Sequence, residues 1–129
     1  IAALVVAAND SGDGGGGSAA PSGPAAELSV EASEFVFDPA DVMVLADTDV
    51  PVTIDNVGAV EHNWTVLEQG TTIASEDEYD EGTAVTEIVA GAGASDSGSV
   101  NLAAGSYQVI CTVPGHFAAG MEGTLEATS

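Results

Sequence analysis

The stretch ICTVPGHFAAGM, residues 110–121, brings three scarce side chains into one short segment. Cys111 is the only cysteine of the chain, His116 is one of two histidines, and Met121 is one of two methionines. Residues 113–115, VPG, supply a bend, because proline presets φ and glycine tolerates unusual backbone angles. The spacing C-x4-H-x4-M therefore predicts a loop that curls around one point and presents three potential metal ligands to it.

A fourth ligand must come from elsewhere, and His62 is the only other histidine. It stands at the start of a predicted strand, and a β-sandwich can bring distant strand ends to one pole. Two imidazoles, one thiolate and one thioether suit copper, since a His2Cys plane with a weak axial Met is the blue-copper electron-transfer arrangement. Zinc disfavours thioethers, and iron–sulfur clusters need more cysteines.

The sequence from residue 28 onward has the pattern of an all-β fold. LSVEASEFVF, residues 28–37, alternates apolar and polar residues like a half-buried strand. Seven or eight short strands with turns between them predict an antiparallel β-sandwich of two sheets. Further strand candidates lie at residues 41–46, 51–57, 62–69, 84–90, 97–111 and 121–128. Met43 and Trp64 are predicted to fill the core, with Trp64 beneath the metal site.

Two segments do not fit a packed core. Residues 1–8 resemble the end of a secretory signal with a cleavage site at 6–8, or else form a short disordered end. Residues 9–26 are a Gly/Ser/Pro/Ala linker, so residues 1–26 are predicted to be a flexible tail and 27–129 the domain. Residues 71–83, TTIASEDEYDEGT, are predicted to be an exposed loop or a short edge element. Calcium binding there is disfavoured, because the ligand spacing of an EF-hand loop is missing.

The charge balance limits the possible partners. The chain has 129 residues, 21 acidic side chains and neither lysine nor arginine, which gives a formal net charge of −21. Nucleic acid and anionic membrane surfaces are disfavoured as partners, because both are bound by cationic side chains. A basic protein partner or a saline environment fits this surface, and so does a purely solubilising role.

The segments CTVPGHFAAGM (111–121) and EHNWTV (61–66) resemble the copper-site motifs of the cupredoxins, most closely those of auracyanin-, plastocyanin- and azurin-like proteins. The resemblance covers about residues 28–128. It implies a Greek-key antiparallel β-sandwich with one type 1 copper ion at one end. The metal ligands it implies are His62 and His116 through Nδ1, Cys111 through its thiolate, and Met121 weakly along the axis.

The resemblance also implies roles for residues around the metal. Asn63 would tie the two ligand loops together and hydrogen-bond near the cysteine sulfur. Glu61 would place its backbone carbonyl along the copper axis, and its carboxylate departs from the small residue or proline that is frequent there. His116 would be the electron port, within an uncharged docking patch formed by Val113, Pro114, Phe117, Ala118 and Ala119.

The function implied by the resemblance is single-electron transfer between redox partners through Cu(I)/Cu(II). A copper carrier or storage protein with the same ligands is the alternative. A copper enzyme is disfavoured, because both histidines are already used in one site. The expected partners are a cytochrome or a membrane redox complex with a basic docking face. The protein itself is expected to be an exported monomer without a spanning segment, in the periplasm or on the outer face of the cytoplasmic membrane.

Overall fold

The computed structural model describes residues 24–129, which form two packed β-sheets. The predicted tail, residues 1–26, lies outside the described residues except for its last three. Ala25 forms an isolated parallel bridge to Val44, so the ordered body begins before residue 27. The strands are β1 (Leu28–Ser33), β2 (Val36–Asp38), β3 (Asp41–Leu45), β4 (Val50–Asn56), β5 (His62–Leu67), β6 (Ala84–Ala90), β7 (Ser95–Val100), β8 (Gly105–Ile110) and β9 (Glu122–Thr128).

The strand order confirms the predicted all-β sandwich and refines its pairing. One sheet has the order β2-β1-β4-β7 and the other β3-β9-β8-β5-β6. Each sheet contains one parallel pair, β1 with β4 and β3 with β9, so the pairing is mixed and not wholly antiparallel. β1 and β3 each pair with a strand that does not follow them directly in sequence, and a parallel pair requires such a long connection. A sequence pattern of short strands and tight turns predicts antiparallel hairpins and therefore misses these pairs.

The predicted strand over residues 28–37 is divided by a turn. β1 pairs with β2 in an antiparallel hairpin in which Ser33 faces Val36, which leaves Glu34 and Phe35 as the turn. Phe35 has φ of 69°, a left-handed conformation that is uncommon for residues other than glycine. The sequence contains no Gly, Pro, Asn or Asp at this point, so the usual turn signals are missing.

The main core lies between the two sheets and is mostly aliphatic. Trp64 is 2% exposed and belongs to this core, as predicted. The prediction for Met43 is wrong, because that side chain is 42% exposed. In β3 the alternation directs Val44 inward, and its neighbour Met43 therefore faces outward.

A second, smaller core covers the outer face of the five-stranded sheet. It contains Leu67, Ile73, Ile110 and Phe117, with Tyr79 packed against them. The segment 71–83 thus carries an inward-facing Ile73 and two short 3₁₀ helices, Glu76–Glu78 and Glu81–Thr83. The prediction of a merely exposed loop is therefore wrong for Ile73, whose burial fixes this segment beside residues 111–121.

Within residues 24–129 the structure has no helix with the length and hydrophobicity required to cross a lipid bilayer.

Candidate metal centre

The sandwich brings the ends of three strands together at one pole. β8 ends at Ile110, so Cys111 is the first residue beyond it, and β9 begins at Glu122. β5 runs antiparallel to β8, and its first residue, His62, therefore lies near the exit of β8. The loop between β8 and β9 comprises residues 111–121, and we call it the metal loop.

Three of the predicted ligands converge within this pole. The ligand atoms of His62, Cys111 and His116 all lie within 4.8 Å of one another. The two Nδ1 atoms are 3.2 Å apart, and Cys111 Sγ lies 3.5 Å from His116 Nδ1. All three residues are buried, although His116 keeps 8% of its surface exposed. The two imidazoles thus direct the same ring nitrogen toward each other, and that of His116 also faces the thiol.

Met121 closes the metal loop behind these donors. Its side chain is fully buried in the main core. Its backbone N–H donates to the His116 carbonyl at 3.1 Å, and its carbonyl accepts from the Cys111 N–H at 3.3 Å. The loop turns at Gly115, which has φ of 88°, and at Gly120, which has φ of 108°. The expected bend at residues 113–115 is therefore present where glycine is needed.

The donors fit a soft transition metal. Burial raises the pKa of the Cys111 thiol, while the N–H groups of Asn63 and Val113 act in the opposite direction. Burial, followed by the neighbouring His62, lowers the pKa of His116, which favours the neutral imidazole that offers a lone pair. A buried thiol beside two imidazoles is a site where a metal ion replaces a proton. Copper is the metal that sulfur and imidazole donors in this ratio select.

Asn63 joins the two ligand-bearing segments, as expected. Its backbone N–H donates to Cys111 Sγ at 3.5 Å. Its side-chain Oδ1 accepts from the Thr112 N–H at 2.9 Å and from the Thr65 hydroxyl at 2.9 Å. Its Nδ2 donates to Thr112 Oγ1 at 2.8 Å. β5 and the metal loop are therefore fixed to each other directly beside the sulfur.

Glu76 holds the metal loop from outside and was not predicted from the sequence. Its carboxylate accepts from the Gly115 N–H at 2.9 Å and from the Ala118 N–H at 3.0 Å. These two bonds lower the pKa of Glu76. The sequence of residues 71–83 does not predict this role, because nothing in it distinguishes Glu76 from the other acidic residues of the segment.

The turn between β1 and β2 contacts both imidazoles and was also not predicted. Glu34 Oε1 lies 3.2 Å from His62 Nε2. The Phe35 ring meets His116 edge-on, with centroids 5.1 Å apart and planes at 73°. The Phe35 ring is 41% exposed on one side and contacts His116 on the other, so it covers part of the imidazole from solvent. Only the unexpected turn at residues 34–35 could place both side chains here.

The predicted docking patch is partly at the surface. Pro114, Ala118 and Ala119 are exposed, and Val113 is half-buried. Phe117 is only 7% exposed and packs in the second core, so it supports the patch from below and adds little surface. The carboxylate-bearing Glu61 is exposed immediately before β5. The approach of its carbonyl to a metal remains a prediction.

Comparisons with known proteins agree with this geometry. A sequence model of the family described as copper binding proteins, plastocyanin/azurin family, matches residues 24–128. A reduced auracyanin from Roseiflexus castenholzii superposes with a TM-score of 0.72 at 22% identity, over 83% of this chain and 99% of that one. At that identity the likeness shows the fold alone.

Two further auracyanins are similar in structure. Auracyanin B has a TM-score of 0.70 at 28% identity, over 84% of this chain and 93% of its own. Auracyanin A from Chloroflexus aurantiacus, a blue copper protein, has a TM-score of 0.62 at 25% identity, over 80% and 99%. No curated protein sequence matches the chain closely.

Proposed function

The chain belongs to the plastocyanin/azurin family of copper-binding proteins, its cofactor is copper, and we propose that it transfers single electrons between redox partners. The observation that carries the proposal is the buried convergence of His62, Cys111 and His116 within 4.8 Å. When bound there, copper supplies a one-electron couple between Cu(I) and Cu(II).

We assign the ligand roles as follows. His62 and His116 hold the metal through Nδ1, because these atoms face each other across the site. Cys111 binds through its thiolate, to which the Asn63 N–H donates. The Met121 thioether is the weak fourth ligand, supported by its complete burial at the end of the metal loop. The chain's two histidines are both used here, which leaves none for a second, catalytic copper.

The surroundings of the ligands suit electron transfer because side chains outside the ligand set hold the ligand-bearing segments in place. Asn63, Glu76 and Glu34 each tie a ligand-bearing segment to another part of the fold. Ligands held in this way need little rearrangement when the metal changes its charge, and small rearrangement favours fast exchange. A carrier that releases copper would instead need a loop that opens easily.

We place the electron port at His116, which keeps 8% of its surface exposed in the loop that carries the exposed residues Pro114 and Ala118. The side chains of Pro114, Ala118 and Ala119 are uncharged and allow close approach of a partner, while the Glu76 carboxylate lies at the edge of this patch on the Gly115 and Ala118 N–H groups. The acidic remainder of the surface orients a partner with a basic docking face and raises the association rate at low salt. The exported location stays a prediction that rests on the sequence of residues 1–8.

Spectroscopy of the copper-loaded, oxidised protein tests the proposal. We expect the strong visible band of a copper–thiolate bond, and we expect Cys111→Ser to abolish it. Met121→Leu should retain the band and raise the reduction potential, since the axial ligand tunes it. Met43→Leu is the matched control, because Met43 is exposed on β3 and should leave both unchanged.

Two results would contradict the proposal. A colourless wild type that nevertheless binds copper would indicate a different kind of site. A coloured protein without a reversible one-electron couple at an electrode would instead support copper carriage or storage.

A further inference from the structure

The two nitrogens of His62 face different surroundings. Nδ1 points inward, 3.2 Å from His116 Nδ1. Nε2 points outward, 3.2 Å from Glu34 Oε1. A neutral imidazole carries one proton, and the nitrogen that donates it cannot bind a metal. The carboxylate can only accept, so the contact places the proton on Nε2 and leaves the Nδ1 lone pair for the metal.

The Glu34 carboxylate is itself held in place. Both of its oxygens accept from the Ala59 N–H, each at 3.1 Å. The carboxylate is partly exposed and carries its negative charge at neutral pH, as glutamate ordinarily does. The anchor reaches from the β1–β2 turn to the loop that precedes β5. The carboxylate is therefore fixed by two separate segments.

Gly58 provides the space for this contact. A Cβ atom at position 58 would overlap Glu34 Oε1 and would lie 3.2 Å from His62 Nε2. The first overlap is with the far end of a flexible side chain, which can move away. Any larger residue at position 58 would therefore displace the carboxylate from the imidazole without removing its charge from the protein.

We propose that Glu34 is a positioning residue for the copper ligand His62. It fixes the ring in the tautomer that presents Nδ1, and its negative charge favours the more positive oxidation state of the metal. Hydrogen-bonded carboxylates behind metal-bound histidines orient the ring and raise its basicity. The inference rests on the proposed function, since it assumes that the metal held by His62 is copper.

Two substitutions and one control test the inference. Glu34→Gln removes the charge, and Gly58→Ala displaces the carboxylate. We expect each to weaken Cu(II) binding relative to Cu(I) binding by about tenfold, the lower end of the usual range because Glu34 is partly exposed. A tenfold change corresponds to about 59 mV for one electron, so the potential should rise by this amount. Glu31→Gln is the control, as it removes an exposed charge from β1, three residues before Glu34.

A second measurement uses the metal-free protein. Nitrogen-15 NMR should find His62 of the wild type protonated at Nε2, and a mixture of tautomers in Glu34→Ala. If Glu34 had only a structural role, Glu34→Ala would change the unfolding midpoint of the protein and leave the His62 tautomer unchanged. A wild type with the proton on Nδ1 would overturn the inference.

The outcomes separate this inference from the proposed function. If the wild type has the visible band and a reversible couple, but the potentials of Glu34→Gln and Gly58→Ala equal that of Glu31→Gln, only the inference fails. If the wild type lacks the band and the couple, the proposed function fails. The tautomer measured without metal then still decides whether Glu34 positions His62.

Discussion

Asn63 is 4% exposed, and its side chain makes three hydrogen bonds, two that join β5 to Thr112 of the metal loop and one to Thr65 within β5. Its amide has two acceptor sites and two donors, and three of these four are satisfied by Thr65 and Thr112. Removing the amide would leave a buried hydroxyl and a backbone N–H without partners. Such orphaned groups cost more than the net value of the bonds that they lose.

The first prediction concerns this amide. Asn63→Ala should lower the free energy of unfolding by about 3 kcal/mol, because it leaves partners at both Thr65 and Thr112 unsatisfied. Thr65→Val should cost only about 1 kcal/mol, since Asn63 Oδ1 keeps its bond from Thr112. Urea denaturation of the metal-free proteins measures both values. Equal costs for the two variants would show that the amide does not join the segments.

Some residues of the metal centre could be predicted from the sequence, and others could not. The grouping of Cys111, His116 and His62 was predictable because side chains of these types are scarce in this chain and their chemistry is specific, whereas the role of Met121 as a ligand stays a prediction. Met43 was mispredicted, since hydrophobicity alone does not say which face of an edge strand a residue occupies. The roles of Glu34 and Glu76 could not be predicted, because they depend on partners that lie far away in sequence.

At the scale of elements, the segment 71–83 is held by more than its one buried isoleucine. The Gln108 side chain on β8 accepts from the Ile73 N–H at 2.7 Å and donates to the Ile73 carbonyl at 3.0 Å. Tyr79 packs against the second core. Glu76, located between these two anchors, is thereby brought to the metal loop. The segment is a brace for the loop.

The second prediction follows from the lowered pKa of Glu76. Bonds from Gly115 and Ala118 hold this pKa below its ordinary value of 4.5. A depressed pKa stabilises the folded state above the unfolded value, and this stabilisation is lost as the pH falls through the folded value. Glu76→Gln should therefore be less stable than the wild type at pH 7, and the difference should shrink below pH 4.5.

The matched control is Asp77→Asn, which removes an exposed charge from the next residue. Urea denaturation from pH 7 to pH 3 measures all three proteins. Asp77→Asn should not lower stability at pH 7, since it relieves repulsion in an acidic chain. A Glu76→Gln variant as stable as Asp77→Asn across this range would refute the bracing role.

Element boundaries were predictable where local chemistry determines them. β4 alternates buried and exposed residues along its whole length, and the pattern identifies such a strand. β5 is buried throughout, because it lies between β8 and β6 with a core on each face. The hairpin at residues 34–35 and the parallel pairs were missed, since tertiary contacts and not turn residues impose them.

The whole molecule carries a charge that has almost no internal compensation. Among residues 24–129 the one contact between a carboxylate and a histidine nitrogen joins Glu34 to His62, and it is a hydrogen bond from the ring N–H, not a pair of opposite charges. The chain has no lysine or arginine, and both of its histidines lie in the metal centre. The carboxylates therefore repel each other across a compact body, and folding must overcome this repulsion.

The last prediction is that salt stabilises this protein strongly. The Debye length falls from about 30 Å at 0.01 M to about 3 Å at 1 M, so salt screens repulsion across the whole domain. We expect a gain of at least about 1 kcal/mol over this range, which corresponds to roughly 4–8 °C in Tm for a domain of this size. Thermal denaturation of the copper-loaded protein at increasing NaCl and KCl concentrations measures this change in Tm.

The identity of the cation decides what such a gain means. Screening depends on ionic strength alone, so NaCl and KCl should give the same curve, without saturation at low concentration. A rise that saturates at micromolar CaCl2 would instead indicate a specific site for a hard cation among the carboxylates. A Tm that does not change with either salt would show that the repulsion is already relieved, and the charge of −21 would then have little effect on stability.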